Sequence, residues 1–169
     1  MILKYITTIS FIWGCALSVQ TNNDGKTPLI LAAENGDIDL VKSLVDTGGN
    51  IEETDDSGNT ALIYATWNNY SAIVEFLLSK GANIEHAQKQ GHTPIFFAAR
   101  QGYLNLINLL IDKGADIEKR DVYGNNALTW AAREGSADAV EALLSRGSKI
   151  NVRSNDQQTP LIHVAERET

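Results

Sequence analysis

The side chains in this chain that could do more than pack are few: three histidines, one cysteine, and a lysine in a Gly-Lys-Thr triplet. His86 and His92 are six residues apart and could meet at adjacent turns. A zinc site would more often add cysteine, or place two ligands one helical turn apart, and neither pattern is present. His163 stands alone, so exposed turn histidines are the better reading, with a small exported enzyme or metal-binding protein using His86 and His92 as the weaker alternative. Gly25-Lys26-Thr27 looks like the tail of a phosphate-binding loop, but Gln20 occupies the earlier glycine position and no strand precedes it. There is no Gly-x-Ser-x-Gly and no His-Glu-x-x-His, so no catalytic residue, cofactor site or metal site is expected. Asn69-Tyr70-Ser71 is a glycosylation sequon, meaningful only in a eukaryotic secretory pathway.

The carboxylates recur in phase with a longer pattern, and that pattern organises the chain. Moving by 33 residues takes Gly25 to Gly58, Gly91 and Gly124, and Leu29 to Leu62, Ile95, Leu128 and Leu161. Ala32 returns as Ala65, Ala98 and Ala131, and Gly48 as Gly81, Gly114 and Gly147. Complete copies fill 23–55, 56–88, 89–121 and 122–154, and a partial fifth covers 155–169. Such a period is the mark of a stacked array in which each unit buries its apolar face against its neighbours.

Each copy reads as a helix pair. Thr27-Pro28, Thr93-Pro94 and Thr159-Pro160 place a hydroxyl cap before a proline at the first helical position, and Thr60 and Asn126 keep the cap without the proline. Paired small residues such as Ala32-Ala33 and Ala98-Ala99 let the next copy approach. Gly36, Gly102 and Gly135 supply a left-handed turn, where Asn69 is the next most tolerant residue. Val41, Leu44 and Val45, echoed by Val74, Leu77 and Leu78, form the apolar stripe of the second helix. Lys80-Gly81, Lys113-Gly114 and Arg146-Gly147 then end it.

These units resemble ankyrin repeats, whose signature is Thr-Pro-Leu-His-x-Ala over 33 residues. The resemblance covers 23–169 and implies an all-α solenoid of stacked helix-turn-helix units with β-turn or hairpin tips. The family's histidine is replaced here by Ile30, Ile63, Phe96, Thr129 and Ile162, so its inter-repeat hydrogen bonds are expected to be absent and the interior more apolar. Gln157 in place of the turn glycine weakens the fifth unit, and fraying is expected beyond about residue 155. The resemblance also implies a non-enzymatic protein-binding module, expected as a monomer, that holds a protein partner on a concave face of tips and first helices. Carried over by position, that face includes Trp67, Lys89, His92, Arg100, Tyr123, Asn125 and Arg133. A second column, Leu31, Tyr64, Phe97, Trp130 and His163, reads as packing between repeats first and an aromatic ladder second.

Residues 1–18 lie outside the period. Lys4, an apolar run from Tyr5 to Trp13, and Ala16-Leu17-Ser18 match a secretory leader and predict an exported protein, with 19–22 as a lead-in. The run is too short to span a bilayer. Ile12-Trp13-Gly14-Cys15 partly matches a lipoprotein box, so Cys15 is either lipidated, as an N-terminal anchor, or removed with the leader. Without it no disulfide is available, and stability rests on packing. The net charge of −7 is unevenly spread. Residues 23–55 carry eight acidic and two basic side chains, 56–88 three and one, 89–121 four and five, and 122–154 three and four. An acidic end argues against nucleic acid or anionic lipid as the main partner. The run Glu52-Glu53-Thr54-Asp55-Asp56 reads as a solvated turn.

Overall fold

The computed structural model describes residues 21–162; the leader, Cys15 and His163 lie outside the described residues. Four helix pairs follow one another: α1 (Pro28–Asn35) with α2 (Ile38–Asp46), α3 (Ala61–Trp67) with α4 (Ser71–Ser79), α5 (Pro94–Gln101) with α6 (Leu104–Asp112), and α7 (Ala127–Glu134) with α8 (Ala137–Ser145). Residues 160–162 begin a further helical turn in the fifth unit. First helices stack in one layer, α1 on α3, α3 on α5 and α5 on α7, while α2 meets α4 and α6 meets α8 in the other. No strand occurs among the described residues, so the fold is an all-α solenoid.

The recurring residues explain the stacking. Ala33, Ala65, Ala98, Ala99 and Ala131 are fully buried, which lets neighbouring first helices pack closely. Leu62, Ile95 and Leu128 fill the space between them, each contributing about 1.5–3 kcal/mol by leaving water. The positions that would carry the signature histidine, Ile30, Ile63, Phe96 and Thr129, are all buried. Thr27, Thr60 and Asn126 accept the backbone N–H three residues on, as their types predict. Thr93 does not: its hydroxyl is buried without a hydrogen-bond partner, and α5 starts on Pro94 alone. Gly36, Gly102 and Gly135 are left-handed, and Asn69 takes their role at φ 61°.

The tips are turns rather than paired strands, but they are joined by a regular backbone ladder. Each closes on itself, Asp55 N–H to Asn59 O, Gln88 to His92, Asp121 to Asn125 and Ser154 to Gln158. Each then donates to the one before: Asp56 N–H to Asp24 O, Lys89 to Ser57, Val122 to Gln90 and Asn155 to Tyr123, at 2.8–3.1 Å. The fifth tip keeps this geometry, with Gln157 at φ 65° where the earlier tips have glycine.

Hydrogen bonds between repeats were expected to be lost with the signature histidine, and a different column supplies them. Glu52 Oε1 accepts from Asn83 N–H at 2.8 Å, Glu85 Oε1 from Asp116 N–H at 2.7 Å, and Glu118 Oε1 from Lys149 N–H at 2.8 Å. Lys80 with Asp46 and Arg146 with Asp112 tie the far ends of the second helices together. The acidic run is therefore no simple solvated turn: Glu52 spans a junction and Asp55 is buried.

Two glycine positions separate backbone conformation from close approach. Gly81, at φ 90°, has open space where a Cβ would go, whereas a Cβ on Gly91, at φ 84°, would stand 2.9 Å from Asp121 Cα. Gly81→Ala should cost about 1–2 kcal/mol for its left-handed backbone. Gly91→Ala should lose about 1–3 kcal/mol more, because the ladder must open. Equal losses in urea unfolding would mean that the tips are not closely coupled.

Candidate protein-binding face

Beneath the tips, one register position is a buried anchor. Asp55 accepts from the Ser57 and Asn59 N–H groups and from the Tyr64 hydroxyl at 2.7 Å. Two repeats on, Asp121 accepts from the Tyr123 and Asn125 N–H groups and from Trp130 Nε1 at 2.9 Å. Each carboxylate thus fixes the tip above it to an aromatic ring of the first helix, nine residues away. Burial disfavours charge on Asp55, but these donors outweigh it and hold its carboxyl below the ordinary value. Tyr64 is pushed up, by burial and then by its bond to Asp55. The column Tyr64, Phe97 and Trp130 is accordingly packed between repeats, with Trp130 only half-buried.

The third repeat departs from this scheme. Gln88 stands where the aspartates stand, and Phe97 offers no hydrogen-bond donor. His92 occupies the position of Asn59 and Asn125, and reaches into the next repeat instead. Its Nδ1 lies 3.2 Å from Gln88 Nε2 and its Nε2 3.4 Å from Asp121 Oδ2, long for a hydrogen bond. The ring stacks on Phe96 and meets Phe97 and Trp130 edge-on, at 5.4, 5.8 and 5.1 Å between centroids. His92 and Asn125, expected on the exposed face, are each only 7% exposed and belong to the anchoring layer. His86, expected at an exposed turn, is half-buried and uses Nε2 against the Gly58 carbonyl at 2.9 Å. Among the described residues, no three His, Cys, Asp or Glu side chains gather as a metal would need.

The remaining five face residues are exposed. Trp67 is 40% accessible and stacks on Phe97 at 5.2 Å and, more loosely, beside Tyr64 at 6.3 Å. Tyr123, 56% accessible, projects from the fourth tip, and Lys89 lies on the third. Arg100 and Arg133, one repeat apart, both lie 5.3 Å from the Trp130 ring, and Arg100 Nε donates to Glu134 at 2.9 Å. With Gln90, Tyr123 and Asn155 they border a cleft of about 550 Å³ along the third, fourth and fifth tips. Trp130 was read mainly as packing, and its role as the floor for two cations was missed. The arginine pair at a 33-residue interval on either side of its sequence neighbourhood was the available signal.

The family model for ankyrin repeats (3 copies) matches residues 4–88 and 83–154. The chain belongs to the ankyrin-repeat family. No curated protein matches its sequence. Ankyrin repeats point to a protein–protein interaction module, and none of the described helices is long and apolar enough to cross a membrane.

His92 gives the anchoring layer a pH signature. Burial lowers its pKa below the ordinary 6.5, Asp121 partly opposes this, and Arg100 adds to it. The unfolded chain therefore takes up the proton first as pH falls, so the stability due to neutral His92 is complete above about 6.5 and declines below it. His92→Asn, the side chain of the neighbouring repeats, should flatten the fall in melting temperature between about pH 7 and 5. Parallel curves for the two proteins would assign that fall to other groups.

Proposed function

We propose that this ankyrin-repeat protein is an exported, non-catalytic binding module that holds a protein partner on the concave face of tips and first helices. The observation that carries the reading is the coexistence of large exposed side chains with rigid supports. Trp67, Arg100, Tyr123 and Arg133 are of the types that dominate binding hot spots, and they stand on turns and short helices tied from repeat to repeat. A side chain that is already fixed loses little entropy on binding. Export is supported by Lys4, the apolar run to Trp13 and the small residues before position 19.

A crosslinking capture with the purified chain, beside a variant with Trp67, Arg100, Tyr123 and Arg133 all changed to alanine, tests the binding reading. Circular dichroism should show the variant folded, since these side chains are at the surface. A protein retained by the parent and lost by the variant is the expected result. Equal retention would move the binding site to another surface, the acidic first repeat foremost. For export, mass spectrometry of the secreted chain should find it beginning after Ser18. A lipid mass on Cys15 would replace soluble release by anchoring, and an intact leader in mature protein would remove export altogether.

A further inference from the structure

The 33-residue register places Glu34, Trp67, Arg100 and Arg133 at equivalent points, so along the face an acid is followed by an aromatic ring and then two cations. Glu34 is paired within its own repeat, Lys26 Nζ lying 2.6 Å from its Oε1. Trp67 presents an exposed ring whose position is set by Phe97. Arg100 spends Nε on Glu134, and its two terminal nitrogens donate no hydrogen bond among the described residues. Arg133 stands beside the same Trp130 ring, so two guanidinium groups face one cleft whose other ionised borders are Asp156 and, beneath, the fully hydrogen-bonded Asp121. The wider field has the same sense. Acidic side chains outnumber basic ones eight to two in 23–55, while the two kinds are equal, ten of each, over 89–169. The field of the chain therefore repels an acidic segment from the first end and leaves the attraction at the other to Arg100 and Arg133 themselves.

We infer that the face binds an extended acidic segment of its protein partner in one orientation, with an apolar side chain on Trp67 and carboxylates at Arg100 and Arg133. The inference rests on the concave-face reading above and adds to it the chemistry of the partner. Stacked helices lie about 8–10 Å apart, and an extended chain advances about 3.3–3.6 Å per residue, so about three partner residues pass each repeat. The fitting sequence therefore has an apolar residue, an acid about three positions later, and a second acid about three beyond that. Guanidinium groups suit this task because their planar fork matches a carboxylate.

A random-peptide display library panned against the full chain tests this without a known partner. Selected peptides should carry Leu, Ile or an aromatic residue with Asp or Glu at the stated spacing. Their affinity should fall about tenfold in an Arg100→Gln/Arg133→Gln variant, the scale of two partly exposed charge pairs. It should also weaken in high salt. Circular dichroism checks that the variant folds. Selected peptides that are basic or uncharged, yet lost with Trp67→Ala, would overturn the inference and leave the concave-face reading standing. Peptides indifferent to both variants, or no selection at all, would overturn that reading and this inference with it.

Discussion

Every repeat in this chain has an apolar face that only its neighbour can cover, and a single backbone bond from tip to tip sets how the cover is placed. Asp56 on Asp24, Lys89 on Ser57, Val122 on Gln90 and Asn155 on Tyr123 repeat one geometry four times. Because the bond lies in the main chain, it tolerates change in the side chains beside it. The alanine pairs of the first helices can then meet at close range, and the leucines and isoleucines between them leave water together. The glutamate column reaches across three successive junctions as well. Removing one junction would leave two apolar faces exposed rather than one local defect, as expected of a linear array.

That division of labour frees the surface for recognition. Asp55 and Asp121 hold the tips from below through Tyr64 and Trp130, so Tyr123 and the residues beside it need not contribute to folding. Where the anchor is missing, at Gln88, His92 meets Gln88 through Nδ1 and turns Nε2 toward Asp121 of the following repeat at 3.4 Å without a hydrogen bond, and the cost is a buried imidazole. Trp130 serves both levels. Its indole N–H is bound inward to Asp121, while two arginines lie by its ring. The arginine pair is therefore seated on a ring held by the same buried carboxylate that steadies the fourth tip.

The architecture was legible because it is written in repetition. Gly58, Gly91 and Gly124, or Ala65, Ala98 and Ala131, state the period without any reference to contacts, and the caps at Thr27, Thr60 and Asn126 state where helices start. What could not be read was the environment of a polar side chain within the period. Asp55 sits in an acidic run and looks solvated, yet it is buried because its neighbours' N–H groups turn toward it. His92 looks like a turn histidine, yet the next repeat covers it. Thr93 has the same type and place as Thr27 but makes no cap bond. The glutamates at 52, 85 and 118 recur at the 33-residue interval, but their partners are backbone groups, which leave no mark in composition.

The central claim, that partners dock on tips and first helices while second helices serve the fold, is met most directly by oxidative footprinting of the partner-bound chain. Trp67 and Tyr123 should lose reactivity on binding, while Phe76 on α4 and Tyr103 at the start of α6 keep theirs. Protection of Phe76 and Tyr103, with Trp67 and Tyr123 unchanged, would place the partner on the opposite layer and contradict the account.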